Sequence, residues 1–157
     1  MRALVLATLV VFAATPAMAG MSWEAEMMED EGGPRMMAWV QGQGADVPPD
    51  LYLSCAGATD LNLRYSMGSG PAEGATMPPG PLDFVFSFGG PTATLSMIYE
   101  EYDGAYAAYF PSADPVIALM RSSANMTISD PTGVWHDQVF SLEGSGKAID
   151  TVLKACE

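Results

Sequence analysis

Leu82-Asp83-Phe84-Val85-Phe86-Ser87-Phe88 and, one turn later, Thr94-Leu95-Ser96-Met97-Ile98-Tyr99 decide the fold class of this chain. In each run a large apolar side chain recurs at every second position. A helix needs apolar residues three and four apart, whereas period two describes a strand with one buried face. The same alternation runs through Asp60-Leu61-Asn62-Leu63-Arg64-Tyr65-Ser66. Leu51, Leu53 and Cys55 share the inward face of a further strand, which aims the cysteine at the core. Shorter strand candidates lie at 22–28, 36–41, 105–110, 126–129 and 138–142.

Turn chemistry separates these runs. Glu31-Gly32-Gly33-Pro34 reverses the first pair, and Asp103-Gly104 marks a hairpin because glycine tolerates positive φ. The stretch from Gly68 to Pro81 is rich in Gly and Pro and can hold neither a ladder nor a helix, so it reads as a long loop between two β-rich halves. Two short helices fit the remainder. Asp114-Pro115 supplies an N-cap and a first-turn proline, and Val116, Leu119 and Met120 then lie on one stripe. Ser145 is placed to cap a final helix whose Ala148, Ile149, Val152, Leu153 and Cys156 form an apolar face, with Asp150 and Lys154 on the exposed side. The expected fold is mainly β: an antiparallel β-sandwich or half-open barrel with one or two short helices, the C-terminal helix packed on the sheet.

Residues 1–19 have the organisation of a signal peptide: Arg2, an apolar run from Ala3 to Ala14, Pro16, and small residues at Ala17-Met18-Ala19. The run is too short to span a bilayer comfortably. The expected mature chain is residues 20–157, a single β-rich domain that is periplasmic or secreted. The leader holds one of six basic residues, so a net charge of −13 becomes −14 after cleavage. Such a surplus of carboxylates makes phosphate backbones poor partners, because nucleic-acid binding rests on cationic neutralisation. It argues equally against anionic lipid surfaces and favours cationic partners or divalent ions. A second apolar segment able to span a membrane is absent from the sequence. Cys55 and Cys156 are the two cysteines. In an oxidising compartment they are most simply one disulfide tying the first third of the chain to its last helix; a free redox or metal-binding pair is the alternative.

Few residues gather into a catalytic pattern. Gly144-Ser145-Gly146-Lys147 lacks both the upstream glycine and the following Ser or Thr of a phosphate-binding loop. His136 is the only histidine, Asp137 follows it directly, and no G-x-S-x-G elbow occurs. Neither a hydrolytic triad nor a His-rich zinc shell can be assembled from these. The expectation is a protein that is not an enzyme and carries no cofactor. Methionines crowd the first hairpin at Met21, Met27, Met28, Met36 and Met37. Thioethers are soft ligands that select Cu(I). Met27 and Met36 alternate with residues beside Ala25, Ala38 and Val40, where packing accounts for them. Met21, Met28 and Met37 remain as candidate copper ligands. The acidic runs Glu29-Asp30-Glu31 and Glu100-Glu101-Asp103 lack calcium-loop spacing and read as solvated turns. At the second of these, Glu100, Glu101, Tyr102 and Asp103 form the candidate contact for a protein partner.

Leu51-Tyr52-Leu53-Ser54-Cys55 and then Thr59-Asp60-Leu61-Asn62-Leu63 resemble small exported bacterial domains of the type VI secretion-associated and invasion-associated locus B kind. So does the ending, Phe140-Ser141-Leu142-Glu143-Gly144-Ser145 followed by Ala148-Ile149 and Cys156. In such proteins a strand reaches a cysteine, and a late strand feeds a helix ending in another. The resemblance implies a periplasmic β-sandwich-like domain, and no functional residue carries over. The expected function is a non-catalytic periplasmic accessory or binding protein that engages another envelope protein. Two sharper versions are an inhibitor of a cationic hydrolase such as lysozyme and a Met-based copper-binding protein.

Overall fold

The computed structural model describes residues 22–30, 32–43, 47–68 and 70–156. The expected leader at 1–19, the Gly20 start, Met21 and Glu31 lie outside the described residues. The elements in chain order are β1 (Glu24–Met28), β2 (Arg35–Gln41), β3 (Asp50–Cys55), β4 (Asp60–Ser66), β5 (Leu82–Ser87), β6 (Thr92–Glu100), β7 (Ala105–Pro111), α1 (Pro115–Ser122), β8 (Asn125–Ser129), β9 (Gln138–Ser141) and α2 (Ser145–Ala155). The nine strands form one antiparallel sheet in the order β1-β2-β3-β4-β7-β6-β5-β8-β9.

That sheet cannot be flat. Four strands separate β4 from β9, which at about 4.8 Å per strand would put them roughly 24 Å apart in a plane. The rings of Tyr65 on β4 and Phe140 on β9 nevertheless lie 6.1 Å apart, edge to face. Tyr65 and Phe84 stand 5.5 Å apart, and Phe84 and Tyr106 stand 4.9 Å apart. The bend falls in β6, whose residues 92–97 pair with β5 and residues 98–100 with β7. Two layers therefore face each other across one core, as expected for a half-open barrel. Leu51, Leu53, Leu61, Leu63, Phe86 and Phe140 are fully buried. Each such side chain contributes roughly 1.5–3 kcal/mol of transfer free energy.

The open side is bridged without a ladder. The Trp23 backbone N–H donates to the Glu143 carbonyl at 2.8 Å, and its indole Nε1–H donates to the Ser141 carbonyl at 3.0 Å. Gln43 N–H donates to the Val139 carbonyl at 3.2 Å. Helix α2 packs over β1, β2 and β3 through Ala148, Ile149 and Val152. Its end is fixed to β3 by the Cys55–Cys156 disulfide, whose partners are 101 positions apart in the chain. The expected pairing of the two cysteines is realised, and no free cysteine remains among the described residues.

Helix α1 starts as expected, with the Asp114 carboxylate accepting the Val116 N–H at 2.9 Å and Pro115 in the first turn. Helix α2 does not. Its N-cap is Gly144 in the left-handed region at φ 80°, with no side-chain cap, and Ser145 is already helical. The Ser145 hydroxyl is turned away and donates to the Met120 carbonyl at 2.7 Å, almost fully buried. Met120 lies in the last turn of α1, where carbonyls lack intrahelical donors, so the serine satisfies a neighbour rather than its own helix. Asp150 is likewise claimed by α1, through Arg121 Nη2 at 2.7 Å. Among the described residues, 67, 68 and 70–81 form the expected loop, tacked to the body by Ala72 N–H on the Val134 carbonyl at 2.8 Å. Met27 departs from the expected packing: it stands opposite Met36 on β2 but is 57% exposed, because β1 is the outermost strand.

Candidate binding groove

Side chains that alternate away from the core give the first half of the sheet its second face. Register fixes which of them are neighbours. Met37 on β2 stands opposite Ser54 on β3, which stands opposite Asn62 on β4. One pleat along, Trp39, Tyr52 and Arg64 form a second cross-strand row, followed by Ala107 on β7. A third row joins Gln41, Asp50 and Ser66. Short side chains at Ser54, Asn62, Ser66 and Ala105 leave a hollow of about 300 Å³, walled by Arg35 and Asp30 and by Arg64 and Asp103.

The floor is polar and buried. Ser54 and Asn62 are each 5% exposed, and Asn62 Nδ2 donates to the Ala108 carbonyl at 3.5 Å. Buried polar groups of this kind persist only where hydrogen bonds offset their desolvation. Tyr52 is half-buried against the floor; burial first, and then the Asp50 carboxylate, push its phenol above the usual value. Gln41 Nε2 donates to Asp50 Oδ1 at 3.2 Å and steadies that carboxylate.

Both guanidinium groups are held by acids of the same chain. Arg64 Nη2 lies 2.9 Å from Glu100 Oε2 and 3.1 Å from Asp103 Oδ2. Burial draws the Arg64 guanidinium down, but the Glu100 and Asp103 charges and the neighbouring Tyr109 outweigh it and raise it. Tyr109 donates its hydroxyl to Glu100 Oε1 at 3.1 Å. Arg35 Nε lies 3.5 Å from Asp30 Oδ2 at the opposite wall. Pairs this accessible add at most about 1 kcal/mol each to stability; their effect is to fix where the charges stand.

Among solved structures, the fold superposes on the crystal structure of invasion associated protein B from Bartonella henselae with a TM-score of 0.55. The match covers 87% of this chain and 93% of that one. The fold resembles that of an invasion-associated protein. Identity to invasion associated protein B is 11%, so the likeness is one of architecture. It agrees with the resemblance carried by the strand-to-cysteine and strand-to-helix segments. No family model matches the sequence, and neither does any curated protein.

The residues singled out from sequence are dispersed by this fold. Glu100 and Asp103 reach the groove and are drawn onto Arg64, while Glu101 and Tyr102 project from the β6–β7 turn, Tyr102 at 97% exposure. Met37 lines the groove, and Met28 is its diagonal neighbour on the same face, since Met28 stands opposite Arg35 and Met37 opposite Glu26. Met21 lies outside the described residues. No group of three or more His, Cys, Asp or Glu side chains is arranged to hold a metal ion among the described residues. His136 and Asp137 are exposed in the loop before β9. Sequence alone did not single out Arg35, Asp50, Tyr52, Ser54, Asn62 or Arg64 as a site. The outward position of Tyr52, Ser54, Asn62 and Arg64 follows from alternation, whereas Arg35 and Asp50 fall just before the expected strands, and the adjacency of all six depends on register.

Proposed function

We propose that this domain is a non-catalytic accessory protein of the cell envelope that binds another envelope protein through the groove and the β6–β7 turn. The observation that carries this reading is the groove's preorganisation: Arg35 and Arg64 are pinned by Asp30, Glu100 and Asp103 around a buried polar floor. Side chains already fixed lose little entropy when a partner docks. Exposed Tyr102 and Tyr109 stand beside it, and aromatic and arginine side chains are the residue types that dominate interface energetics. The signal-peptide-like start and the disulfide support an extracytoplasmic site of action. A net charge of −14 for the mature chain favours encounter with a cationic protein, and a basic hydrolase such as lysozyme is the sharper form of that partner.

The test compares two baits in an envelope extract, the wild-type domain and Tyr52→Ala/Tyr102→Ala. The expected result is one protein species retained by the wild type and lost by about tenfold or more with the variant. Thermal unfolding checks that the variant is folded. Equal retention by both baits would refute a groove-centred function, and a purified basic lysozyme assayed at low and high salt would decide the hydrolase version.

A further inference from the structure

We infer that the outer edge of β1 is a docking site for an extended cationic segment of the partner, taken up as an additional antiparallel strand. This rests on the reading of the domain as a protein-binding module, though not on the groove. Strand β1 ends the sheet, and among the described residues no strand pairs with its outer side. An edge strand presents alternate N–H and C=O groups that can template another chain. The opposite end of the sheet is better defended: β9 is short, and its Val139 carbonyl already accepts the Gln43 N–H. Strand β1 has no proline, no lysine and regular pairing with β2 along its length; its start is tied to the segment before α2 through the Trp23 N–H on the Glu143 carbonyl, so acid is the main protection of the edge beyond Ala25.

The side chains define what fits. Glu24 and Glu26 are exposed on the outer face of β1, and Ala25 and Met27 lie on the face toward α2. Beside them is a hollow of about 360 Å³ between β1 and α2, lined by Trp23, Glu24, Ala25, Gly144, Lys147, Ala148 and Thr151. A strand laid against β1 would set alternate side chains into that hollow, next to half-exposed Met27. The intervening ones would meet Glu24 and Glu26. The matching segment therefore alternates apolar with lysine or arginine. A second copy of this chain is the wrong occupant. Antiparallel pairing of β1 with itself would bring Glu24 and Glu26 against the same residues of the copy, and like charges across strands repel.

The test titrates the full domain with a synthetic heptapeptide of alternating lysine and valine, reading backbone amide exchange along the chain. Expected is slowed exchange confined to β1 and its flank, and no binding by the same peptide with proline at alternate positions, which cannot donate to a ladder. Glu24→Gln/Glu26→Gln, at exposed positions that leave the fold intact, should weaken the peptide by about three- to tenfold at low salt. Protection elsewhere, equal binding of the proline peptide, or no binding at millimolar peptide would each overturn the edge assignment. Unchanged affinity of the Gln variant would overturn the cationic one. None of these results bears on the Tyr52→Ala/Tyr102→Ala comparison, so edge and groove fail separately.

Discussion

Replacing Ser145 separates two roles that one serine can play at a helix start. Its hydroxyl donates to the Met120 carbonyl at 2.7 Å, in a site 1% exposed. Ser145→Ala deletes that bond and leaves a carbonyl in the last turn of α1 without its donor. A lost bond with a stranded buried acceptor costs about 1–3 kcal/mol. For a domain of this length that corresponds to a fall in Tm of about 3–5 °C per kcal/mol. Ser145→Asn sharpens the test. Asparagine is among the best N-caps, so a capping role would leave stability unchanged. A tie between two packed helices has no room for the larger carboxamide, and Asn should then destabilise at least as much as Ala. Urea unfolding followed by circular dichroism reads both variants. An Ala variant within about 0.5 kcal/mol of wild type, or an Asn variant equal to it, would refute the inter-helix assignment.

Removing the disulfide as Cys55→Ser/Cys156→Ser frees a loop of 101 residues. The chain-entropy limit is about 4.7 kcal/mol, and a loss of about 2–4 kcal/mol is expected from the urea midpoint. A change below about 1 kcal/mol would mean that α2 stays docked by its apolar face alone. Alkaline stability should depend on Tyr65, whose phenol is held well above 10.0 by burial, then by the Asp137 and Asp130 charges. Above pH 10 the unfolded chain releases this proton first and binds fewer protons than the folded one. Stability therefore falls as pH rises, by about 1.4 kcal/mol per unit for this group. Tyr65→Phe should flatten that limb in unfolding measurements above pH 10, only in part because Tyr52, Tyr106 and Tyr109 are raised as well. An unaltered slope would sink the assignment.

Much of the scaffold is legible in the residues themselves. Leu82, Phe84, Phe86 and Phe88 are buried on alternate positions, and Leu95 and Met97 follow them, because period two is a property of the strand alone. The Asp114 cap and the apolar face of α2 are equally local. What is missed is long-range. Arg64 reads as one outward residue among many until β4 is known to lie beside β7 and near Glu100. Ser145 reads as a cap because the alternative acceptor, Met120, is 25 residues away. Met27 reads as core because alternation gives the face of a strand and not its distance from the sheet's margin. Nothing local in the sequence marks Asp130, yet its carboxylate accepts the N–H groups of Thr132, Val134 and Trp135.

The Gly- and Pro-rich loop and the Cys55–Cys156 bond have a joint consequence. The loop divides the chain into a piece bearing Cys55 and a piece bearing Cys156, and Pro71, Glu73, Gly74, Thr76 and Gly80 in it are solvent-accessible. Proteolytic scission there would yield two polypeptides still fastened through sulfur, heavier by one water and unseparated until a reductant is added. Endurance in a protease-rich surrounding is thus decided less by the continuity of the backbone than by the redox state of a single pair of atoms.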